Sequence, residues 1–141
     1  MSQWTHVNAS FRIDSIGGAL PKEKIEEIMG KEYHWKDSYK DFFNDDNTPK
    51  IKILPYGSEG SLEYSIWNNP DEHCMASQVV TVFGDLRDYN NADELEEWFK
   101  KCCSTLWIRQ AVIQIEIEYG NEIIISTLDG EKFNKNILAR E

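Results

Sequence analysis

The sequence predicts an α+β fold: a mostly antiparallel sheet of about six strands with two or three helices packed on one face. Three features point there. Several stretches alternate apolar and polar residues with a period of two. Three others place apolar residues at helical spacing. Their order along the chain reads β-α-(α)-β-β-β-α-β-β. At 141 residues, 40% apolar and 12% aromatic, the chain can bury one hydrophobic core. Residues 1–128 are read as a single globular α+β domain. Residues 129–141 are read as a polar tail in which Phe133, Ile137 and Leu138 are available to dock.

The first strand spans residues 4–16. Val7, Ala9, Phe11 and Ile13 form its core face, while Trp4, His6, Asn8, Ser10, Arg12 and Asp14 form a face rich in polar groups. Gly17-Gly18 ends it. Pro21 suits the first position of a helix, because its missing N–H would have no partner there anyway. Ile25, Ile28 and Met29 make that helix's buried stripe, and Gly30 terminates it.

In residues 31–49, Trp35, Tyr39, Phe42 and Phe43 fall at i, i+4, i+7 and i+8. Two readings follow: a short helix covering the sheet, or an acidic segment whose aromatics and Asp37, Asp41, Asp45 and Asp46 engage a partner. Ile51 and Ile53 alternate with Lys50 and Lys52, which suggests a short strand.

Pro55-Tyr56-Gly57-Ser58-Glu59-Gly60-Ser61 is a glycine-bearing loop. Leu62, Tyr64 and Ile66 then form the core side of a strand, with Glu63, Ser65 and Trp67 opposite. Asn68-Asn69-Pro70-Asp71 is a strong turn signal. Residues 78–83 form a β-branched run, expected as a central strand buried on both faces.

Asn91 and Glu94 have capping-box spacing, with asparagine in place of serine or threonine. Leu95, Trp98, Phe99, Cys102 and Leu106 make the stripe of the following helix. Its acids come first and Lys100 and Lys101 last, an order that complements the helix dipole. Residues 111–128 read as a hairpin. A three-residue loop at 120–122, which sets Ile123 and Ile125 opposite Tyr119 and Ile117, keeps the apolar side chains together.

Composition narrows the function classes. The net charge of −10 disfavours nonspecific binding to nucleic acid or anionic lipid and leaves a basic partner surface open. No apolar run approaches the roughly 18 residues that span a bilayer, and Met1-Ser2-Gln3-Trp4 opens no secretory signal. A cytoplasmic location is therefore expected. Cys74, Cys102 and Cys103 form no disulfide framework, and His6, His34 and His73 are scattered, so neither zinc nor any other cofactor is expected.

Catalytic motifs are sparse, and the expectation is a binding protein rather than an enzyme. Gly57-Ser58-Glu59-Gly60 only superficially resembles a nucleophile elbow. His6-Val7-Asn8 matches half of the paired H-x-T/S arrangement of two-histidine phosphoesterases, without the second half. Two loops suit a ligand better. Gly57, Ser58 and Gly60 offer backbone N–H groups. Asp85, Arg87 and Tyr89 lie between a strand end and a helix start, where an anion can bind and Arg87 can supply a bidentate fork. A tight turn with Arg87 paired to Asp85 or Asp88 is the plainer reading. Arg12, Lys50, Lys52 and Arg109 are further candidate cations, and Trp67, Phe83 and Tyr89 could stack on a base or simply pack in the sheet.

The segments Trp4-Thr5-His6-Val7, Gly57-Ser58-Glu59-Gly60-Ser61-Leu62, Trp67-Asn68-Asn69-Pro70 and Gly84-Asp85-Leu86-Arg87-Asp88-Tyr89 resemble a group of small phage-encoded proteins of unassigned function. By analogy, that resemblance implies a non-enzymatic counter-defence protein. It would act in the host bacterial cytoplasm and sequester a small anionic nucleotide signal, a cyclic oligonucleotide or a cyclic ADP-ribose, as a homo-oligomer. The alternative is an acidic inhibitor of a basic host defence protein such as a CRISPR-Cas nuclease, with Asp37, Asp41, Asp45 and Asp46 at the contact. A phage structural or assembly component is a third reading.

Overall fold

The computed structural model describes residues 3–16, 18–34, 36–68, 70, 77–89 and 91–139. The expectations placed on Gly17, Trp35, Asn69, Asp71, His73 and Cys74 lie outside these residues.

Among the described residues, six strands and three helices occur in the order β1 (Trp4–Asp14), α1 (Lys22–Met29), α2 (Tyr39–Phe42), β2 (Glu63–Trp67), β3 (Ser77–Arg87), α3 (Ala92–Thr105), β4 (Ile108–Ile117), β5 (Glu122–Thr127) and β6 (Asn134–Leu138). All six strands join one antiparallel sheet in the order β2-β3-β1-β4-β5-β6. This is the α+β architecture expected from the alternation. No helix among the described residues is long and apolar enough to cross a membrane.

The period of two in β1 sends Val7, Ala9, Phe11 and Ile13 into the core, where each is at most 2% exposed. Val80 and Val82 of β3, Ile113 and Ile115 of β4, and Ile125 of β5 join them. Helices α1 and α3 cover this face. Phe11 meets Trp98 edge-on and tilts against Phe99. Trp98 also donates its indole N–H to the Met29 carbonyl at 2.8 Å, which ties α3 to the end of α1. The Asn91 side chain caps α3 by accepting from the Glu94 N–H.

Several expectations need correction. Pro21 is the N-cap of α1 rather than its first residue. Helix α3 continues to Thr105, so Lys100 and Lys101 do not occupy its last turn, and Lys100 pairs with Glu96 instead. Helix α2 does not cover the sheet. It buries Phe42 among Tyr33, Phe43 and Tyr56, a separate aromatic cluster outside the main core. Residues 50–53 form no sheet strand. Confined between Pro49 and Pro55, they make one bridge, Ile53 to Lys31, and leave Ile51 exposed.

The sixth strand comes instead from the segment read as a tail. Asp129 accepts the Glu131 and Lys132 N–H groups and turns the chain. Phe133 packs against Phe99, and Asn134–Leu138 pairs with β5. Strand β3 is buried on one face only: Val80 and Val82 are fully covered, while Val79, Thr81 and Phe83 stay half-exposed because no helix lies over them.

The β4–β5 hairpin keeps its apolar side chains together at a different offset. Ile113 faces Ile125 and Ile115 faces Ile123. The turn is therefore at Glu118, Tyr119 and Gly120, and Tyr119 stands at its tip with φ 63°. Alternation sets the parity of a hairpin, but it does not distinguish registers that differ by an even number of residues, here four.

Candidate functional site

The helices leave the second face of the sheet uncovered, and the strand register lays out its side chains in rows. One row runs Asp85, His6, Glu116, Glu122 across β3, β1, β4 and β5. The neighbouring row runs Glu63, Phe83, Asn8, Gln114, Ile124 from β2 to β5. Side chains directly opposite one another in such rows have Cβ atoms roughly 4.5–5.5 Å apart. A phenyl ring thus stands between a glutamate and an asparagine, with the His6–Asp85 pair in the next row.

His6 is held from both sides. Its Nδ1 lies 2.6 Å from Asp85 Oδ1, and its Nε2 lies 3.5 Å from Glu118 Oε2. The hydrogen bond with Asp85 raises the imidazole pKa, and the charges of Asp85 and Glu116 and a hydrogen bond with Glu118 add to it. Partial burial opposes them without reversing the direction. Glu118 is positioned in turn by accepting the Trp4 N–H at 3.0 Å. His34 sits in a second such setting, 3.4 Å from Glu32 and 3.6 Å from Glu63. Both histidines line one groove of about 620 Å³, together with Trp4, Phe83, Glu59, Glu63 and Asp85.

The two glycine-bearing loops meet at the rim of this groove, but they meet by closing on each other. Ser58 N–H donates to the Arg87 carbonyl and Arg87 N–H to the Glu59 carbonyl, both at 2.9 Å, and Gly57 N–H donates to the Gly60 carbonyl at 3.0 Å. A Cβ on Gly60 would collide with the Asp85 carbonyl oxygen, and one on Gly57 with that of Arg87. Glycine is needed here for the close approach of loop to strand. The Gly57 and Ser58 N–H groups expected to cradle an anion therefore already have acceptors. The Arg87 guanidinium pairs with Glu59 at 3.0 Å and approaches Asp88 at 3.9 Å. Asp85 instead takes His6.

The structure gathers Gly57, Ser58, Gly60, Asp85 and Arg87 but not the rest of the expected ligand set. Tyr89 turns away: its carbonyl accepts the Thr5 hydroxyl, its own hydroxyl reaches Glu94, and burial raises its pKa. Arg12 lies six residues along β1 from His6, roughly 20 Å at strand rise. There it shares a row with Trp67 and Val79 and donates to Ser77. Arg109 is exposed where the β1–β4 register shifts, at that same far end.

The four aspartates of the acidic segment belong to none of the six strands. Asp37 accepts the His34 N–H, and Asp46 accepts from the Thr48 hydroxyl and N–H, which lowers its pKa. These two hold turns. Asp37 and Asp41 also line a second hollow of about 410 Å³ that shares His34 with the first. Asp45 is exposed.

The two described cysteines are poorly placed to act as nucleophiles. Cys102 and Cys103 are buried in α3, and burial pushes both thiols up to about 12. Among the described residues, no group of three or more His, Cys, Asp or Glu side chains is placed to hold a metal ion. Sequence reasoning placed His6 in a phosphoesterase motif and missed its pairing with acidic neighbours, as it missed Glu63 as a site residue; Phe83, expected either to stack on a base or to pack in the sheet, does line the groove. The available signal was the polar face of β1, which no helix would cover. Comparison with protein-family models, with curated proteins and with solved structures finds no match to this chain.

Proposed function

We propose that this is a non-enzymatic binding protein that engages a basic protein surface through the acidic end of its open sheet face. The observation that carries the reading is the concentration of carboxylates there. Glu63, Asp85, Glu116, Glu118 and Glu122 surround His6 and Phe83, and the adjacent Arg87 is paired with Glu59. Such a field steers a cationic surface toward the groove and repels phosphate.

In the setting that the phage resemblance suggests, the partner is a host defence effector in the bacterial cytoplasm. The carboxylates would stand where a nucleic-acid backbone otherwise lies. Sequestration of a nucleotide signal finds less support, because the Gly57 and Ser58 N–H groups and Arg87, expected to take its phosphates, have partners within the protein.

The test is the plating efficiency of a sensitive phage on bacteria that express this protein, each strain carrying one nuclease-based or one nucleotide-signalling defence. Restored plating on a nuclease strain supports the reading. Restored plating only on signalling strains, with stoichiometric nucleotide binding by calorimetry, overturns it, as does restoration on none.

A further inference from the structure

We propose that two copies of this chain pack their open sheet faces together in a two-fold dimer. The face is polarised along the strands. One end holds the row Asp85, His6, Glu116, Glu122, with Glu63 in the next row. The other end holds Arg12, with Val79 and Trp67 in its row, and Arg109 at the register shift. Among the strand residues of that half, the one carboxylate on this face is Asp14, and it accepts the Ile16 N–H. Arg12 donates to the Ser77 hydroxyl, a neutral group. Between the two ends runs a row of short side chains, Ser65, Thr81, Ser10, Val112 and Ser126. Such a row admits a second sheet at the roughly 10 Å of stacked sheets.

Charge selects the second copy as the occupant and sets its orientation. A symmetric pair uses one patch twice. A two-fold axis along the strands would lay the acidic row on itself. An axis along the rows lays it over the arginine end instead. With that axis between the rows of Asn8 and Ser10, Arg12 falls over His6 of the second copy, between its Asp85 and Glu116. The roughly 30° angle between stacked sheets shifts this contact by about one strand, within the same acidic row. Six strands at about 4.8 Å spacing, over about eight residues at about 3.3 Å each, offer roughly 600 Å² a copy. A pair then buries roughly 1,200 Å², the lower end of stable interfaces. Val79, Phe83, Val112 and Ile124, all at least partly exposed in the single copy, supply its apolar contacts. The dimer goes beyond the basic-partner reading: the arginine end of the second copy and a basic partner contend for one acidic end.

Sedimentation equilibrium of the unaltered protein, from about 5 to about 200 µM at about 150 mM NaCl, reads the dimer directly while screening the long-range repulsion of two acidic copies. A dimer that dissociates at micromolar concentration is expected from an interface of this size. Arg12 is exposed and Glu116 half-exposed in the single copy. Arg12→Glu and Glu116→Arg should each weaken the dimer at least about tenfold, because each sets like charges together. The two changes combined should bind at least about threefold tighter than either alone. Circular dichroism checks that each variant is folded. A protein monomeric at the highest concentration, a dimer that either folded single variant leaves unchanged, or a double variant no tighter than the single ones overturns the face-to-face pair. None of these results decides the basic-partner reading, which rests on the plating assay.

Discussion

His6 Nδ1 lies 2.6 Å from Asp85 Oδ1, so one imidazole on β1 is bonded to β3 while its other nitrogen faces Glu118 beyond the end of β4. The interaction favours the imidazolium, and the folded-state pKa is raised above 6.5. A group with a raised folded pKa contributes stability that is fully present below its unfolded value and is lost as pH rises through the folded value. His6→Gln should therefore cost stability at pH about 5.5 and little at pH about 9. Because the pair is partly exposed, the cost stays under about 1 kcal/mol. Urea unfolding of both proteins at the two pH values measures it; a gap that widens with pH contradicts the assignment.

Phe99 has no exposed surface and touches Phe11 and Phe133, so it joins α3 to β1 and to the segment that leads into β6. Phe99→Ala should destabilise by about 3–5 kcal/mol, the range for emptying an aromatic core site. A fall in the urea midpoint at unchanged slope is the expected result.

Gly60 has φ 83° and packs against the main chain of β3 at Asp85. Gly60→Ala combines a disfavoured backbone region with a backbone collision, and should cost about 1–3 kcal/mol. Because the loop forms the groove's rim, the same substitution should shift the His6 and Asp85 amide resonances. Spectra unchanged at these positions would mean that the loop is not seated on β3.

Cys102 and Cys103 should resist alkylation while the protein is folded, since burial holds both thiols near 12 and the thiolate is the reactive form. In a Cys74→Ser background, iodoacetamide at pH about 8 should label neither in native buffer and both in denaturant, as read by mass spectrometry. Rapid native labelling would place one of them at an accessible surface.

Much of the sheet was legible because burial is one-sided. Alternation in β1 identified Val7, Ala9, Phe11 and Ile13 correctly, and the helical stripe containing Phe99 was equally clear. The errors arose where local pattern competes with pairing. The alternation of Ile51 and Ile53 could not reveal that residues 50–53 find only Lys31 as a bridge partner, nor could the polarity of residues 134–138 reveal an edge strand beside β5. The site was harder to read. Its residues come from β1, β2, β3 and the chain around His34, and only the register places Glu63, Phe83, Asp85 and His6 together. Glycines that suggested an anion cradle serve loop packing, a distinction set by main-chain contacts that composition does not carry.

The most direct test of the central claim is the plating efficiency conferred by Glu63→Lys compared with the unaltered protein and with Asp45→Lys, which changes charge by the same amount in an exposed turn outside the sheet strands. The account predicts that Glu63→Lys loses at least about tenfold in protection, a cost of about 1.4 kcal/mol if it arises wholly in partner affinity. Asp45→Lys should protect like the unaltered protein. Equal protection by all three, with Glu63→Lys folded by circular dichroism, would contradict the assignment of the binding surface to this face.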